Sequence, residues 1–545
     1  VQQLYKRMCG LLQVSEASGR ATTVLSGILK QSSSLMWAAV VLAVVAALAT
    51  VWSGAGPPVP GAIALTVFVG ATLAWVSGRG DATFVGLIAV LMLIAAGVVA
   101  PARLFAGLGD ETVWLLIAAF VLAAGIGATG LPARVALALC ARARTVRQLF
   151  HLVAGVLVLT AFALPATAGR AALVLPVFVA LAASIQERVT VVRALSLLFP
   201  TVVLLSAMAT LTGAGAHLIT SQLLAGTAGG GISYVRWLVL GLPFALICSH
   251  LATEGLLRTM TDREERRAPL VRVRDDSAAS GEQVAEAEAE AEAGAKIGSR
   301  GEAMREAEPR RPGRPVGPGR QGRLGRSVGS GWLRRLGRDQ ARAGAVLLVV
   351  VVLWCTEALH GIPPAVTALA GAVMITAPRW GTIGISAALD AVPWSLLLFM
   401  VTTTVLGGAL ASSGAADWLT SLVFPAAASP GMVLVAVVVV SAASHLMLQS
   451  RSARSSVLVP LVIPLASTAG LQPAALAFAS TAAAGFCHTT VASAKPLALF
   501  AQSGGGPVFG ERDLLRLSAW LGPVTAAVTV GCALTIWPWL GLPLR

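Results

Sequence analysis

Arginine is costly inside a membrane, and two arginines of this chain stand at matching places within its apolar stretches. In residues 163–177 (ALPATAGRAALVLPV), Arg170 precedes Pro176 by six residues; in 448–461 (LQSRSARSSVLVPL), Arg454 precedes Pro460 by the same six. Small and polar residues lie just ahead of each arginine, and apolar runs flank both stretches. Neither flanking run reaches the roughly 20 residues that cross a bilayer as a helix. An arginine in the first turn of a half-helix adds positive charge where the helix dipole is already positive. A bound anion removes that conflict, because free N–H groups and the guanidinium can share one negative partner. The chemistry on offer is anion binding. Thr167, Ala168, Gly169 and Arg170 form one candidate substrate set, and Ser450, Arg451, Ser452 and Arg454 the other. The hydroxyls of Thr167, Ser450 and Ser452 suit either an anion or an ordinary helix cap.

Two further interruptions supply site-lining or ion-coupling candidates. The first, GAGAH at 213–217, offers Gly213, Gly215 and His217; the second, CHTTVASAK at 487–495, offers His488, Thr489 and Lys495. His217, His488 and His445 either titrate near neutral pH or pack as hydrogen-bonded residues, the more frequent role of a lone membrane histidine. No nucleophile–base pair, Gly-rich phosphate loop or metal-ligand spacing occurs. The six cysteines are scattered without a CxxC pair. An enzyme is not expected, and neither catalytic residue, metal nor cofactor is assigned.

The elements that must position these residues are transmembrane helices. The chain has 545 residues, 56% hydrophobic and 12% charged, with a net charge of +15. Such a composition belongs to a polytopic membrane protein. Lysine is confined to Lys6, Lys30, Lys296 and Lys495, and asparagine is absent, biases that a GC-rich genome explains. The basic excess lies beside apolar spans, so it speaks for topology, and no nucleic-acid partner is expected. Residues 1–35 read as a cytoplasmic N-terminal segment. A first membrane half, 36–260, carries spans at 37–52, 60–75, 84–99, 113–140, 194–212 and 234–256, with a re-entrant hairpin at 149–184. Residues 261–342 are charged and rich in Gly, Pro, Ala and Glu, the composition of a disordered cytoplasmic linker. The second half, 343–545, carries spans at 343–359, 364–377, 394–410, 474–485 and 515–540, with a second hairpin at 431–468. This gives an all-α fold of about 11 transmembrane helices plus two re-entrant hairpins. Arg79, Arg188, Arg193, Arg379, Arg512, Arg516 and the cluster from Arg134 to Arg147 then fall inside. Only Arg103, Arg236 and Arg545 fall outside, so the C-terminus is extracytoplasmic and the membrane is the cell's inner membrane. With the first span set aside as an extra, each unit has five crossings, which makes the second unit inverted, and inverted repeats with broken midplane helices describe a secondary transporter.

At the level of motifs the chain resembles the divalent anion:sodium symporter family, within the wider group of ion transporters that share its fold. The resemblance lies in GDETVW at 109–114 leading to ATGL at 128–131 and Arg134, in Trp354 through HGIPP at 360–364, and in Pro393-Trp394. The family's Ser-Asn-Thr hairpin tips align with Ala166-Thr167-Ala168 and Ser450-Arg451-Ser452, and its Gly/Pro-rich loops with 213–217 and 494–497. The resemblance implies an elevator-type carrier, a homodimer in the lipid bilayer. Its tips and interrupted helices would enclose one small anion, a di- or tricarboxylate or a sulfate-like oxyanion. Sodium ions beside each tip are also implied, but both signature asparagines are gone and Arg451 and Lys495 bring fixed positive charge to the second position. A sodium-independent carrier is the resulting expectation. The alternative from another class is a non-transporting sensor or scaffold that retains the fold.

The linker's composition forbids a packed core, and its length readily spans the two halves. Replacing it with a Gly/Ser segment of equal length should leave uptake into liposomes unchanged; lost uptake with normal expression would place the linker in the mechanism.

Overall fold

The computed structural model describes residues 56–77, 80–185, 187–227, 230–269, 337–416, 418–419, 429–501 and 508–545. The expected N-terminal segment, the span at 37–52 and most of the linker lie outside the described residues. Every regular element within them is helical. The first half runs α1 (Val59–Ser77), α2 (Ala82–Ala95), α3 (Pro101–Leu108), α4 (Glu111–Ala128), α5 (Leu131–Cys140), α6 (Val146–Ala163), α7 (Thr167–Ser184), α8 (Val189–Ser206), α9 (Gly215–Ala225), α10 (Tyr234–Met260) and α11 (Arg263–Arg267). The second runs α12 (Arg338–Cys355), α13 (Glu357–His360), α14 (Pro364–Ile375), α15 (Ile385–Asp390), α16 (Trp394–Ser412), α17 (Pro430–Ala443), α18 (Arg451–Thr468), α19 (Pro473–Ala483), α20 (Lys495–Ala501), α21 (Glu511–Leu534) and α22 (Ile536–Trp539). Eight helical stretches among the described residues are long and apolar enough to cross a membrane.

Local sequence explains most boundaries. The Asp81 carboxylate accepts from the N–H groups of Thr83 and Phe84 and starts α2, and Thr145, Ser233 and Ser429 cap α6, α10 and α17 in the same way. The span expected at 113–140 is instead two helices. Gly130 adopts φ 65°, which ends α4 and lets Pro132 open α5. The runs flanking the first turn are also longer than hydropathy alone suggests. Capped by Thr145, α6 takes in Arg147 and Gln148 and reaches 18 residues, as does α7, so each spans roughly 27 Å at 1.5 Å per residue. At the linker's edges, Asp262 and Glu265 form a capping box for α11, and α12 begins at Arg338. These two helices take 263–267 and 338–342 out of the segment expected as linker.

Two segments repeat in the same order, one in each half. Helix, turn, helix, interrupted helix appears as α6, α7, α8–α9 and again as α17, α18, α19–α20. Each interrupted helix changes sides at its break. Helix α9 packs on α18 and α19 of the second half, while α20 packs on α7 and α8 of the first. Phe178, Phe199 and Phe500 form the seam of that exchange, with ring centroids 5.4–5.5 Å apart. The α8 helix is buried along most of its length.

The first turn, 164–166, is strained. Ala166 sits at φ 68° and ψ 134°, the only positive φ of a non-glycine among the described residues. Ser450 holds the corresponding place in the second turn; there its Oγ accepts from the Ala453 N–H at φ −74°. Alanine has no oxygen with which to cap, and its backbone is held in a conformation costing about 1–3 kcal/mol. Ala166→Gly is expected to relieve part of this and raise the thermal midpoint in detergent; a lowered midpoint would mean that the strain is illusory.

Candidate functional site

Breaking a helix leaves carbonyls in its last turn without intrahelical donors, and in a buried place water cannot supply them. Helix α8 stops at Ser206, passes through short 3-10 turns at Ala207–Ala209 and Leu211–Gly213, and resumes as α9. All residues from 194 to 220 in this stretch are buried. The break is closely packed: a Cβ on Gly213 would stand 2.0 Å from the Ala207 carbonyl, and one on Gly241 of α10 would stand 2.1 Å from that of Met208. Trp237 Nε1 donates to the Met208 carbonyl (3.1 Å), and His217 stacks on Trp237 with its Nδ1 3.0 Å from the Thr210 carbonyl. His217 thus serves the break's packing.

The remaining acceptors are met by guanidinium groups. Arg170, 0% exposed, donates through Nη1 to the Val203 carbonyl (3.1 Å) and through Nη2 to the Leu157 carbonyl (2.6 Å) and Ser206 Oγ (2.7 Å). Its Nε reaches Thr160 Oγ1 at 3.1 Å. The first-turn arginine therefore ties α7 to the last turn of α8 and to α6. Sequence reading missed Thr160 and Ser206; Thr160 is the lone hydroxyl of its apolar run, whereas Ser206 is one of several in its own.

The second half repeats the device. Helix α19 stops at Ala483, and α20 resumes at Lys495 after a 3-10 turn at Val491–Ser493. Arg454, 1% exposed, donates through Nη1 to the carbonyls of Ala484 and Phe486 (2.9 Å to the latter), and through Nη2 to that of Gln449 (3.4 Å). Arg451 joins the two systems: its Nη2 donates to the Leu204 carbonyl at the first break (3.0 Å) and to the Gly485 carbonyl at the second (2.8 Å). Three cations thus converge where both breaks meet, and none pairs with a carboxylate among the described residues.

Polar atoms remain unpaired there among the described residues. Arg454 Nε, His445 Nε2, His488 Nε2, Ser455 Oγ and Thr201 Oγ1 are buried without a hydrogen-bond partner. His445 and His488 both lie against the Phe486 ring, at 5.1 and 5.3 Å between centroids. Arg451 is half-buried, at the rim of the cluster, and among the described residues no hydrogen bond engages its Nη1 or Nε.

The other sequence candidates divide. A Cβ on Gly215 would stand 2.9 Å from Ser452 Oγ, so the second turn and the start of α9 are in close contact. Ser450 caps α18 and is exposed. Thr489 Oγ1 lies 3.4 Å from Ser493 Oγ. Thr167 is half-buried, whereas Ala168 and Gly169 are exposed on the first turn. Lys495 is exposed at the start of α20.

Comparison with known proteins places this arrangement. The sequence model of the citrate transporter family (CitMHS) matches residues 72–483. A relative from Cupriavidus necator, described as a membrane protein, is 23% identical over 451 residues, covering 80% of this chain and 76% of that one. The crystal structure of the Alcanivorax borkumensis YdaH transporter aligns over 81% of this chain and 88% of its own, at 16% identity and a TM-score of 0.46. With most of its length matched by the family, the chain belongs to the citrate transporter family and is a multi-pass membrane transporter.

Proposed function

We propose that the chain is an elevator-type secondary carrier of a small multivalent anion, with citrate and related di- and tricarboxylates ahead of sulfate-like oxyanions, and that it works without sodium. The observation that carries this reading is the set of Arg170, Arg451 and Arg454, gathered at the two breaks with no carboxylate partner among the described residues. Burying one unpaired charge costs several kcal/mol, so three in one place favour an anion among them. The family's description supports a carboxylate. Within the cluster the roles differ. Arg170 directs four of its five N–H groups to protein acceptors and positions the first turn. Arg451 has donors to spare at the rim and is the anion's principal ligand, assisted by Arg454 Nε, Ser450 and Ser452.

Sodium independence rests on the same geometry. A sodium ion between the turns and breaks would compete for carbonyls of Val203, Leu204, Ala484, Gly485 and Phe486, all of which already receive guanidinium N–H groups. At ~4 Å from a guanidinium it would also meet repulsion of about 4 kcal/mol for an effective dielectric near ~20. The tethered cations take the place of a mobile one. The turns act as re-entrant tips in this reading, the carrier works as a homodimer, and the arginine asymmetry puts the linker on the cytoplasmic side of the inner membrane.

Uptake of labelled citrate, succinate and sulfate into proteoliposomes tests the proposal. Initial rates should be equal in sodium, potassium and choline media; a steep, saturable sodium requirement would refute the sodium-free mechanism. Arg451→Gln is expected to reduce uptake at least about tenfold, a loss of one charge-assisted contact, with a smaller fall in the thermal midpoint than Arg170→Gln, since only the carbonyls of Leu204 and Gly485 lose a donor. Arg170→Gln should instead cost roughly 2–5 kcal/mol of stability, because it strips buried acceptors of their donor. Unchanged uptake in Arg451→Gln would remove that residue from the substrate site.

A further inference from the structure

A second basic site lies away from the breaks, at the end of α6 and α10 where the chain's arginines concentrate. Arg147, Glu254, Arg258, Arg263, Arg266 and Arg267 line a cavity of about 560 Å³ without a single apolar side chain. Five guanidinium groups face one carboxylate. Glu254 is already shared: Arg147 Nη2 lies 2.6 Å from Oε1, His151 Nε2 2.9 Å from the same oxygen, and Arg258 Nε 3.6 Å from Oε2. Arg266 is built into the wall, its Nη1 donating to the carbonyls of Leu257 (2.8 Å) and Thr261. Arg263 and Arg267 are exposed and make no hydrogen bond or ion pair among the described residues. The nearby acid Glu265 is engaged elsewhere, capping the Asp262 N–H at 3.0 Å and accepting from Thr190. A preference for arginine on one side of the membrane accounts for the number of these residues. It does not account for their convergence on one cavity, since like charges held together repel.

We infer that this cavity binds a phosphate group. A planar guanidinium fork matches phosphate oxygens with paired charge-assisted hydrogen bonds, and a cavity lined by five arginines selects for negative charge. The site stands at the ends of two spanning helices, Val146–Ala163 and Tyr234–Met260, the level at which phospholipid phosphates lie. An anionic phospholipid headgroup and a free phosphate compound share this chemistry, and the two sources are separable by experiment. The inference does not depend on what the carrier transports.

The test uses the purified full chain in non-ionic detergent. Its thermal midpoint is followed on titration with short-chain phosphatidylglycerol, its phosphatidylcholine counterpart, or pyrophosphate. The variants are R263Q/R267Q and, as a control, R142Q/R144Q, which removes two exposed arginines of the same face that do not line the cavity. All four positions are exposed, so both variants should fold, as circular dichroism checks. Wild type and control should be stabilised by phosphatidylglycerol or by pyrophosphate, with an apparent affinity at least about tenfold weaker in R263Q/R267Q. A response to phosphatidylglycerol alone assigns a lipid headgroup, and a response to pyrophosphate assigns a free phosphate compound. The inference is overturned by no response to either, by an equal response to phosphatidylcholine, or by equal weakening in both variants.

Discussion

Backbone carbonyls left without helical donors, where two buried helices stop short, set the terms for this structure. A helix interrupted in water can leave its last turn to the solvent; one interrupted inside a protein must find N–H groups from elsewhere. Here the donors come from side chains on other elements: Trp237 beside the first break, Arg170 and Arg454 from the two turns, and Arg451 across both. A guanidinium suits the task because it offers several N–H groups in one plane and places positive charge at the negative end of a helix dipole. The close approaches at Gly213 and Gly241 follow from the same need, since a side chain at either place would push the break away from its partners.

Satisfying the carbonyls with cations creates the second constraint. Three positive charges now share one buried region without a counter-charge from the described residues, so the hydrogen-bond problem is settled at the expense of an electrostatic one. Dipoles of the α8 and α19 C-termini offset part of that charge, each acting as a fraction of a negative charge. An anion offsets more. On the proposed reading this links occupancy to movement: an empty site carries uncompensated positive charge, a loaded one is nearly neutral, and crossing the apolar interior is less costly when loaded. Exchange of one anion for another is then favoured over return of the empty carrier.

How much of this was legible in the sequence differs by level. Apolar runs, their spacing and the doubled Arg-to-Pro interval disclosed the membrane class and the positions of both turns. Helix ends were less visible, because a cap such as Thr145 draws polar residues into a helix that hydropathy excludes, and Gly130 splits an otherwise continuous apolar run. The arginines were found, but not their partners. Leu157, Val203 and Leu204, or Ala484, Gly485 and Phe486, contribute main-chain oxygens, and any residue type carries one. Only the three-dimensional path of the breaks says which carbonyls lack a donor. Lys495 shows what charge type and motif position leave open: they name the residue, and only the fold shows that its side chain is exposed at the start of α20.

The repeat is informative where it fails. Counting from the paired arginines, Ser450, Arg451 and Ser452 of the second turn correspond to Ala166, Thr167 and Ala168 of the first. The second turn therefore has a capping hydroxyl, a bridging cation and a further hydroxyl against Gly215, while the first has a strained alanine, a half-buried threonine and an exposed alanine. Symmetric duties, holding each turn to its own break, are kept by Arg170 and Arg454. The duty that joins the two halves falls on Arg451 alone, and so does the spare donor capacity at the rim. An anion drawn to this cluster would lie nearer the second turn than the pseudo-symmetric centre. Its arrival would bear on the residue that couples the breaks to each other, so ligand binding and the joining of the two halves would act through one side chain.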